Sequence, residues 1–435
     1  MKKIILLHTA MICCLFVFAQ SKILNIEETG TLSTLISESE KYEISELTLT
    51  GRINGDDVNF IRQMAGGSQF DGYTNGKLAK LDIGNAMLVQ GGSYKSGGHT
   101  FSYTSNLEIS ESMFAYLEKI TLITLPATTK AIGINAFYNC INLENITIPD
   151  NTFSIERGAF RECKSLEYIV VGKNLEETNG RAFSSCESLK YFIVHQDNNH
   201  FQSIDGVLYS HNGDVIIAYP NAKSSEYVIP ENVKKIGVGA FSGCSLLESV
   251  RIPNNLLEIG DYAFESCTNL KTVNIPLNIS SLSGTFWGCT SLMTITIPSN
   301  IQRIFDSLNW CENLEEIYSK NIVPPYPAYF EGVNTIDCVL YVPKGSYDAY
   351  YKAEGWRNFL NIIEKDYVSA IYNPNNNLSI YGSENLIMVK SDISTIVDIY
   401  SILGVKYTFT INIGLNELTL PKGIYIAEGQ KVIVY

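Results

Sequence analysis

Three histidines lie within seventeen residues, His195, His200 and His211, with Asp197, Asp205 and Asp214 interleaved. Imidazole and carboxylate groups at such short intervals are the raw material of a metal site, provided that the chain folds them onto one point. A second reactive set is more regular. Cys140, Cys163, Cys186, Cys244, Cys267, Cys289 and Cys311 each stand three residues after a bulky apolar residue. Thiols in series can ligate metal or act as nucleophiles, but a residue type that recurs in every unit of a repeat is normally a core position, where free cysteine acts as a small hydrophobe. The histidine group reads in the same way as a polar hairpin and its approach loop. His-Glu-x-x-His, Gly-x-Ser-x-Gly, the phosphate-loop lysine motif and Cys-x-x-Cys are all absent after the leader. The expectation is therefore a chain without catalytic, cofactor-binding or metal-binding residues.

The elements that carry the cysteines are set by a period. Phe114, Phe137, Phe160, Phe183, Phe241, Phe264, Phe286 and Leu308 are separated by 23, 23, 23, 58, 23, 22 and 22 residues. Six residues after each comes an aliphatic-x-x-apolar-x-apolar stretch, such as Leu143/Ile146/Ile148 or Leu270/Val273/Ile275. Alternation of this kind marks a short strand with one buried face. Prolines 126, 149, 230, 253, 276 and 298 close the strands, where a missing N–H does no harm. Asn151, Asn174, Asp197, Asn232, Asn255, Asn278 and Asn300 follow eight residues after the leading aliphatic residue. An internal ladder of these side chains would satisfy backbone groups at the turn. A fixed period of 22–23 is the signature of a leucine-rich-repeat solenoid. The fold class expected is an α/β repeat, with short parallel strands and an irregular or short-helical convex side, followed by a small all-β sandwich.

The interval of 58 resolves into rungs of 35 and 23, with the surplus within residues 201–219. Ile204–Tyr209 and Val215–Tyr219 flank His211-Asn212-Gly213-Asp214, which reads as a projecting β-hairpin. The remaining organisation expected is a signal peptide over 1–19, an N-terminal cap with divergent repeats over 20–110, repeats over 111–343, a C-terminal cap over 344–366 and the sandwich over 367–435. Within these, Asp56–Met64 has helical spacing, Gly84–Thr104 reads as a surface loop, and Ser346–Phe359 as a helix whose Tyr347, Tyr350, Trp356 and Phe359 close the core. Tyr372–Asn377 reads as a turn-prone linker ahead of seven short strands.

Charge narrows the partners. The formal net charge is −13, and loss of Lys2 and Lys3 with the leader would take it to −15. Such a chain lacks the clustered cations that nucleic acid or an anionic bilayer demands. Lys2-Lys3, the apolar run Ile4–Phe18 and Val17-Phe18-Ala19 form the basic, apolar and small-residue parts of a secretory leader cut after Ala19. No later run is apolar enough to span a membrane, so no membrane insertion is expected.

The unit Ala263-Phe264-Glu265-Ser266-Cys267-Thr268-Asn269-Leu270-Lys271-Thr272-Val273-Asn274-Ile275-Pro276 resembles the BspA-type leucine-rich repeats of bacterial surface proteins. The resemblance is strong over 110–360 and loose over 30–110, and Phe201–Tyr209 is similar to an insertion common in that family. It implies a curved solenoid and a binding or adhesion role toward a host or bacterial surface protein, with no enzymatic activity. The tail, through Ile399-Tyr400-Ser401-Ile402-Leu403-Gly404 and Leu420–Ile426, is similar to C-terminal sorting domains of type IX secretion. That implies secretion to the outer surface of a Gram-negative cell or its periplasmic side. The alternatives are a structural component of the envelope and an accessory to carbohydrate processing. Register puts Tyr168, Val170, Tyr191, Ile193 and Val228 on the open, concave face, as one apolar and aromatic cluster walled by the hairpin. These five are the candidate ligand-binding residues.

Overall fold

The computed structural model describes residues 20–367, except 69 and 104, and the strands and strand ends between 371 and 434. The leader over residues 1–19 lies outside the described residues. Two compact units emerge, one of residues 1–340 with 350–361, the other of residues 341–349 with 362–435.

The first unit is a β-solenoid. Its rungs stack in parallel, beginning with Gln20–Ile26, Ile44–Ile53, Lys80–Asp82, Leu122–Thr124, Asn145–Thr147, Tyr168–Val171 and Tyr191–Val194. The N-terminal strand Gln20–Ile26 carries no repeat signature and was not expected. A second run pairs Glu226–Val228, Ser249–Arg251 and Thr272–Val273, and a third begins with Thr294–Ile297 and Glu316–Ser319. The opposite side of most rungs is a two- or three-residue strand, as at Ala131–Ile132 and Ser154–Ile155, with turns between; helix is sparse there.

The repeat positions make the core. Phe114, Phe137, Phe160, Phe183, Phe241, Phe264, Phe286 and Leu308 are all at most 2% exposed. Their rings stack along the rungs, with centroids 5.5 Å apart for Phe114–Phe137, 5.2 Å for Phe137–Phe160 and 4.8 Å for Phe241–Phe264. This is the strand repeat of roughly 4.8 Å transmitted to side chains. The cysteines form a second spine, all free and buried. They do more than fill space. The Sγ of Cys163 donates to the Phe137 carbonyl at 3.2 Å, and Cys140, Cys186, Cys267, Cys289 and Cys311 repeat the bond one rung along. The Phe137 carbonyl also accepts from Cys140 N–H, so both of its lone pairs are used.

The asparagine ladder forms, but on the surface and not inside. Asn151 donates through Nδ2 to the Ala127 carbonyl at 2.8 Å, and Asn174, Asn255 and Asn278 do the same to Asp150, Glu231 and Asn254. Asn151, Asn174 and Asn278 are exposed. Asp197 does not join the ladder. Its neighbour Asn198 is buried, bonds the Gly172 and Leu175 carbonyls, and accepts from the N–H groups of His200 and Phe201.

The long interval folds differently from expectation. Phe201–Ile204, Val207–Ser210 and Val215–Ala218 form a three-stranded antiparallel meander in place of one hairpin. The extra turn is Asp205-Gly206, with φ of 49° and 77°, the left-handed pair that a two-residue hairpin turn requires. The strand of the hidden rung keeps the expected register, with Tyr227 opposite Val250, but its phenylalanine slot is displaced by one residue. Tyr219, not residue 218, takes the phenylalanine slot: its N–H donates to the Ala240 carbonyl, as Phe241 does to Ala263, and its ring stacks on Phe241 at 5.0 Å.

Two further expectations change, and one holds. Gly84–Thr104 is not a plain loop: Ala86–Leu88 joins the first sheet, and Ser93–Ser96 pairs with His99–Ser102 around Gly97-Gly98. Asp56–Met64 is helical as expected, extended to Gly55 and capped by Asn54, whose side chain accepts from Asp56 and Asp57 N–H. Of the four aromatic residues expected to close the core, Tyr350, Trp356 and Phe359 are buried, whereas Tyr347 is exposed and belongs to the second unit. Trp356 Nε1 donates to the Pro325 carbonyl at 2.8 Å and its ring meets Phe330 at 4.8 Å, so the cap is bonded as well as apolar.

In the second unit, Ile371–Asn373, Leu378–Ser383, Leu386–Ser391 and Gly414–Thr419 make one four-stranded antiparallel sheet. Lys406–Ile411, Thr395–Ser401, Gly423–Ala427 and Gln430–Val434 make another. Tyr372 and Asn373, expected in the linker, are strand; residues 374–377 of that linker lie outside the described residues.

Candidate functional site

The reactive sets do not assemble. His195, His200 and His211 are exposed, and each is engaged locally: His195 Nδ1 accepts from Asp197 N–H, and the His200 carbonyl accepts from His211 N–H. Among the described residues, no three His, Cys, Asp or Glu side chains converge in a way that would hold a metal ion. The thiols are pushed away from nucleophile chemistry. Burial raises Cys140 and Cys186 to about 12, and Cys163, Cys289 and Cys311 also rise.

What remains is the open face of the strands. Tyr168 stands opposite Tyr191, and Val170 opposite Ile193, in parallel register. The tyrosine rings stack face to face, centroids 5.6 Å apart and only 4° from parallel. Stacked along the rungs, each ring covers one face of the other. Tyr191 is 40% exposed and Ile193 45%, while Tyr168 and Val170 are half-buried. Glu167 and Lys190, the residues just before the tyrosines, pair at 3.0 Å, which leaves the strip electrically neutral.

Val228 is not part of this strip. The meander turn occupies the edge of Tyr191–Val194: Phe192 N–H donates to the Gly206 carbonyl at 2.9 Å, and Ser203 Oγ donates to the Phe192 carbonyl at 2.7 Å. Glu226–Val228 therefore starts a new sheet and does not extend the old one. There Val228, 65% exposed, lies opposite Arg251 and lines a shallow groove of about 390 Å³ with Glu226, Ser249, Thr272 and Asn274. The expected five-residue cluster is four residues plus a separate, mixed-polarity groove. Sequence reasoning placed the insertion beside Tyr191 but missed how it docks. The signal is Asp205-Gly206, a turn pair that lies inside the expected strand Ile204–Tyr209.

Comparison with known proteins bears on the whole array. The description "BspA type Leucine rich repeat region" matches six copies over residues 98–207 and 217–332, more than half of the chain. The gap between the two stretches falls within the meander. Among solved structures, the pneumococcal vaccine antigen PcpA is similar at 20% identity with a TM-score of 0.53, covering 76% of this chain and 82% of its own. A leucine-rich cell surface protein from Faecalibacterium prausnitzii is similar at 22% identity, TM-score 0.42, over 75% and 74%. A leucine-rich-repeat protein from Eubacterium ventriosum is similar at 17% identity, TM-score 0.40, over 78% and 88%. No curated protein is significantly similar in sequence. With its repeat positions buried in register and more than half of its length matched, the chain belongs to the BspA-type leucine-rich-repeat family.

Proposed function

We propose that this protein is exported and binds another extracellular protein, of a host or a neighbouring bacterium, through the strip Tyr168, Val170, Tyr191 and Ile193. Val228, with Arg251, supplies a second and separate contact. The reading rests on one observation above all: a face-to-face tyrosine pair on an open strand surface, with two aliphatic neighbours in register. Tyrosine gives area and a polar tip, and rings already held by mutual stacking lose little rotamer freedom on binding. No reactive group is required. Export is supported by the leader-like residues 1–19, and delivery to the outer surface of a Gram-negative cell by the likeness of the tail to sorting domains. No helix among the described residues is long and apolar enough to cross a membrane.

The test is capture by the secreted chain from host extracellular proteins and from bacterial surface fractions, with Tyr168→Ala/Tyr191→Ala alongside. A captured partner should bind the double variant at least about 30-fold more weakly, the scale of a hot spot. Unchanged circular dichroism with unchanged capture would place the binding site elsewhere.

A further inference from the structure

A cleft of about 280 Å³ opens beside the Gly55–Met64 helix, lined among others by Asn59, Arg62, Gln63, Asp71, Tyr73 and Lys95. Its polar groups are not evenly divided between donors and acceptors. Gln63 Oε1 accepts from Lys41 Nζ at 2.6 Å; an ammonium can only donate, so the oxygen must face Lys41 and the NH2 group is left over. Asn59 Oδ1 likewise accepts from Lys95 N–H at 3.2 Å, which leaves Nδ2 unengaged. Arg62 donates through Nη1 to the Met113 and Ala115 carbonyls and through Nη2 to Asp71 Oδ2, so Nε–H and one Nη2–H have no partner among the described residues. Lys95 Nζ forms no ion pair there either.

The main acceptor, the Asp71 carboxylate, is largely engaged. Asp71 Oδ2 takes Arg62 and Ser68 Oγ, and Oδ1 takes Gly98 N–H. Arg62 and Lys95 against Asp71 leave a net positive cleft on a chain of net charge −13. The guanidinium is fixed by its buried bonds, with 3% of its side chain exposed, and is pre-organised at the cleft wall. Tyr73 is 65% exposed and contributes an aromatic surface to the lining.

We infer that this cleft binds an acidic sugar, a pyranose ring carrying a carboxylate. The carboxylate is met by Arg62, Lys95 and the amide N–H groups of Asn59 and Gln63, and the ring lies against Tyr73. A set in which free donors outnumber free acceptors prefers an acceptor-rich anion, and the aromatic residue distinguishes a ring from a bare oxyanion. The site is distinct from the tyrosine strip and does not depend on it.

Titration calorimetry of the full chain with sodium glucuronate, glucose and sodium acetate tests the inference. Glucuronate should bind at least tenfold more tightly than either of the others. The near-isosteric pair Asn59→Asp and Gln63→Glu keeps the acceptors that serve Lys95 N–H and Lys41, yet replaces both free donors with carboxylate oxygen. It should weaken glucuronate at least tenfold with an unchanged melting temperature, and Tyr168→Ala/Tyr191→Ala should leave binding intact. No glucuronate heat, equal binding of glucose, equal binding of acetate, or full affinity in the Asn59/Gln63 variant would each overturn the proposal.

Discussion

Replacing Phe160 with alanine probes the central spine where its stacking is most complete. The ring is fully buried between Phe137, at 5.2 Å and 2°, and Phe183, at 6.1 Å and 4°. Deleting a buried phenylalanine costs about 3–5 kcal/mol through lost burial and the cavity left behind, and each aromatic pair adds about 0.5–1.5 kcal/mol. With two partners lost, Phe160→Ala belongs at the upper end, about 4–5 kcal/mol. Phe286 is a built-in comparison. It is equally buried but, among the described residues, stacks on Phe264 alone, at 5.6 Å, because Leu308 holds the next slot. Phe286→Ala should therefore cost about 1 kcal/mol less. Urea unfolding followed by circular dichroism gives the totals. Hydrogen exchange gives the location, with lost protection centred on rungs 137–186, since each rung of a solenoid touches only its neighbours. A cost below about 1 kcal/mol, or a Phe286 variant at least as damaged as the Phe160 one, would refute the stacked-spine argument.

Three further outcomes follow from the cysteines and the meander. The eight buried thiols should resist alkylation in the native protein and all react after unfolding, as counted by mass spectrometry without reduction; bridges between rungs would contradict this. Because burial raises Cys140, Cys186 and Cys338 to about 12, the fold keeps protons that the unfolded chain releases from about pH 8.5. Their stabilisation is complete below that value and falls by about 1.4 kcal/mol per pH unit per thiol until the folded value is passed. Urea midpoints that do not fall between pH 8 and 10.5 would contradict it. Gly206→Ala places a Cβ 2.8 Å from that of Tyr191, at a φ of 77°, and should destabilise by about 1–3 kcal/mol with exchange rising across 201–210. A neutral result by thermal denaturation would mean the turn does not seat on that strand.

Much of the solenoid was legible because one physical demand recurs: each rung must bury the same few positions, so Phe, Cys and the paired aliphatic residues repeat in kind and spacing. Legibility ended where a segment is held by something other than that pattern. Gln20–Ile26 is a strand because Ile44–Ile53 offers it an edge, a reason visible only in three dimensions. Tyr219 fills a phenylalanine slot after an insertion that hides the count. The asparagines were recognised, but their type does not say whether the carbonyl they serve faces in or out. For the tyrosine strip, period two put four side chains on one face; that Val228 stands apart depends on where an inserted turn docks. The donor bias at Arg62 was invisible, since it depends on which atoms Lys41 and the Lys95 amide already occupy.

The docking of the Asp205-Gly206 turn has a consequence for how such an array can change in length. Within a run the phenylalanine slots exchange the same bond from rung to rung, as Phe137 N–H to the Ala159 carbonyl is repeated by Phe160 to Ala182, and Phe241 to Ala263 by Phe264 to Thr285. A duplicated or deleted rung inside such a run returns every donor to an equivalent acceptor, and recombination between repeats is structurally silent. At Phe192 the partner is the Gly206 carbonyl, which no other rung can supply. That junction is a fixed punctuation mark in an otherwise extensible text. Tyr168 and Tyr191, next to it, keep their address however many rungs are gained or lost on either side.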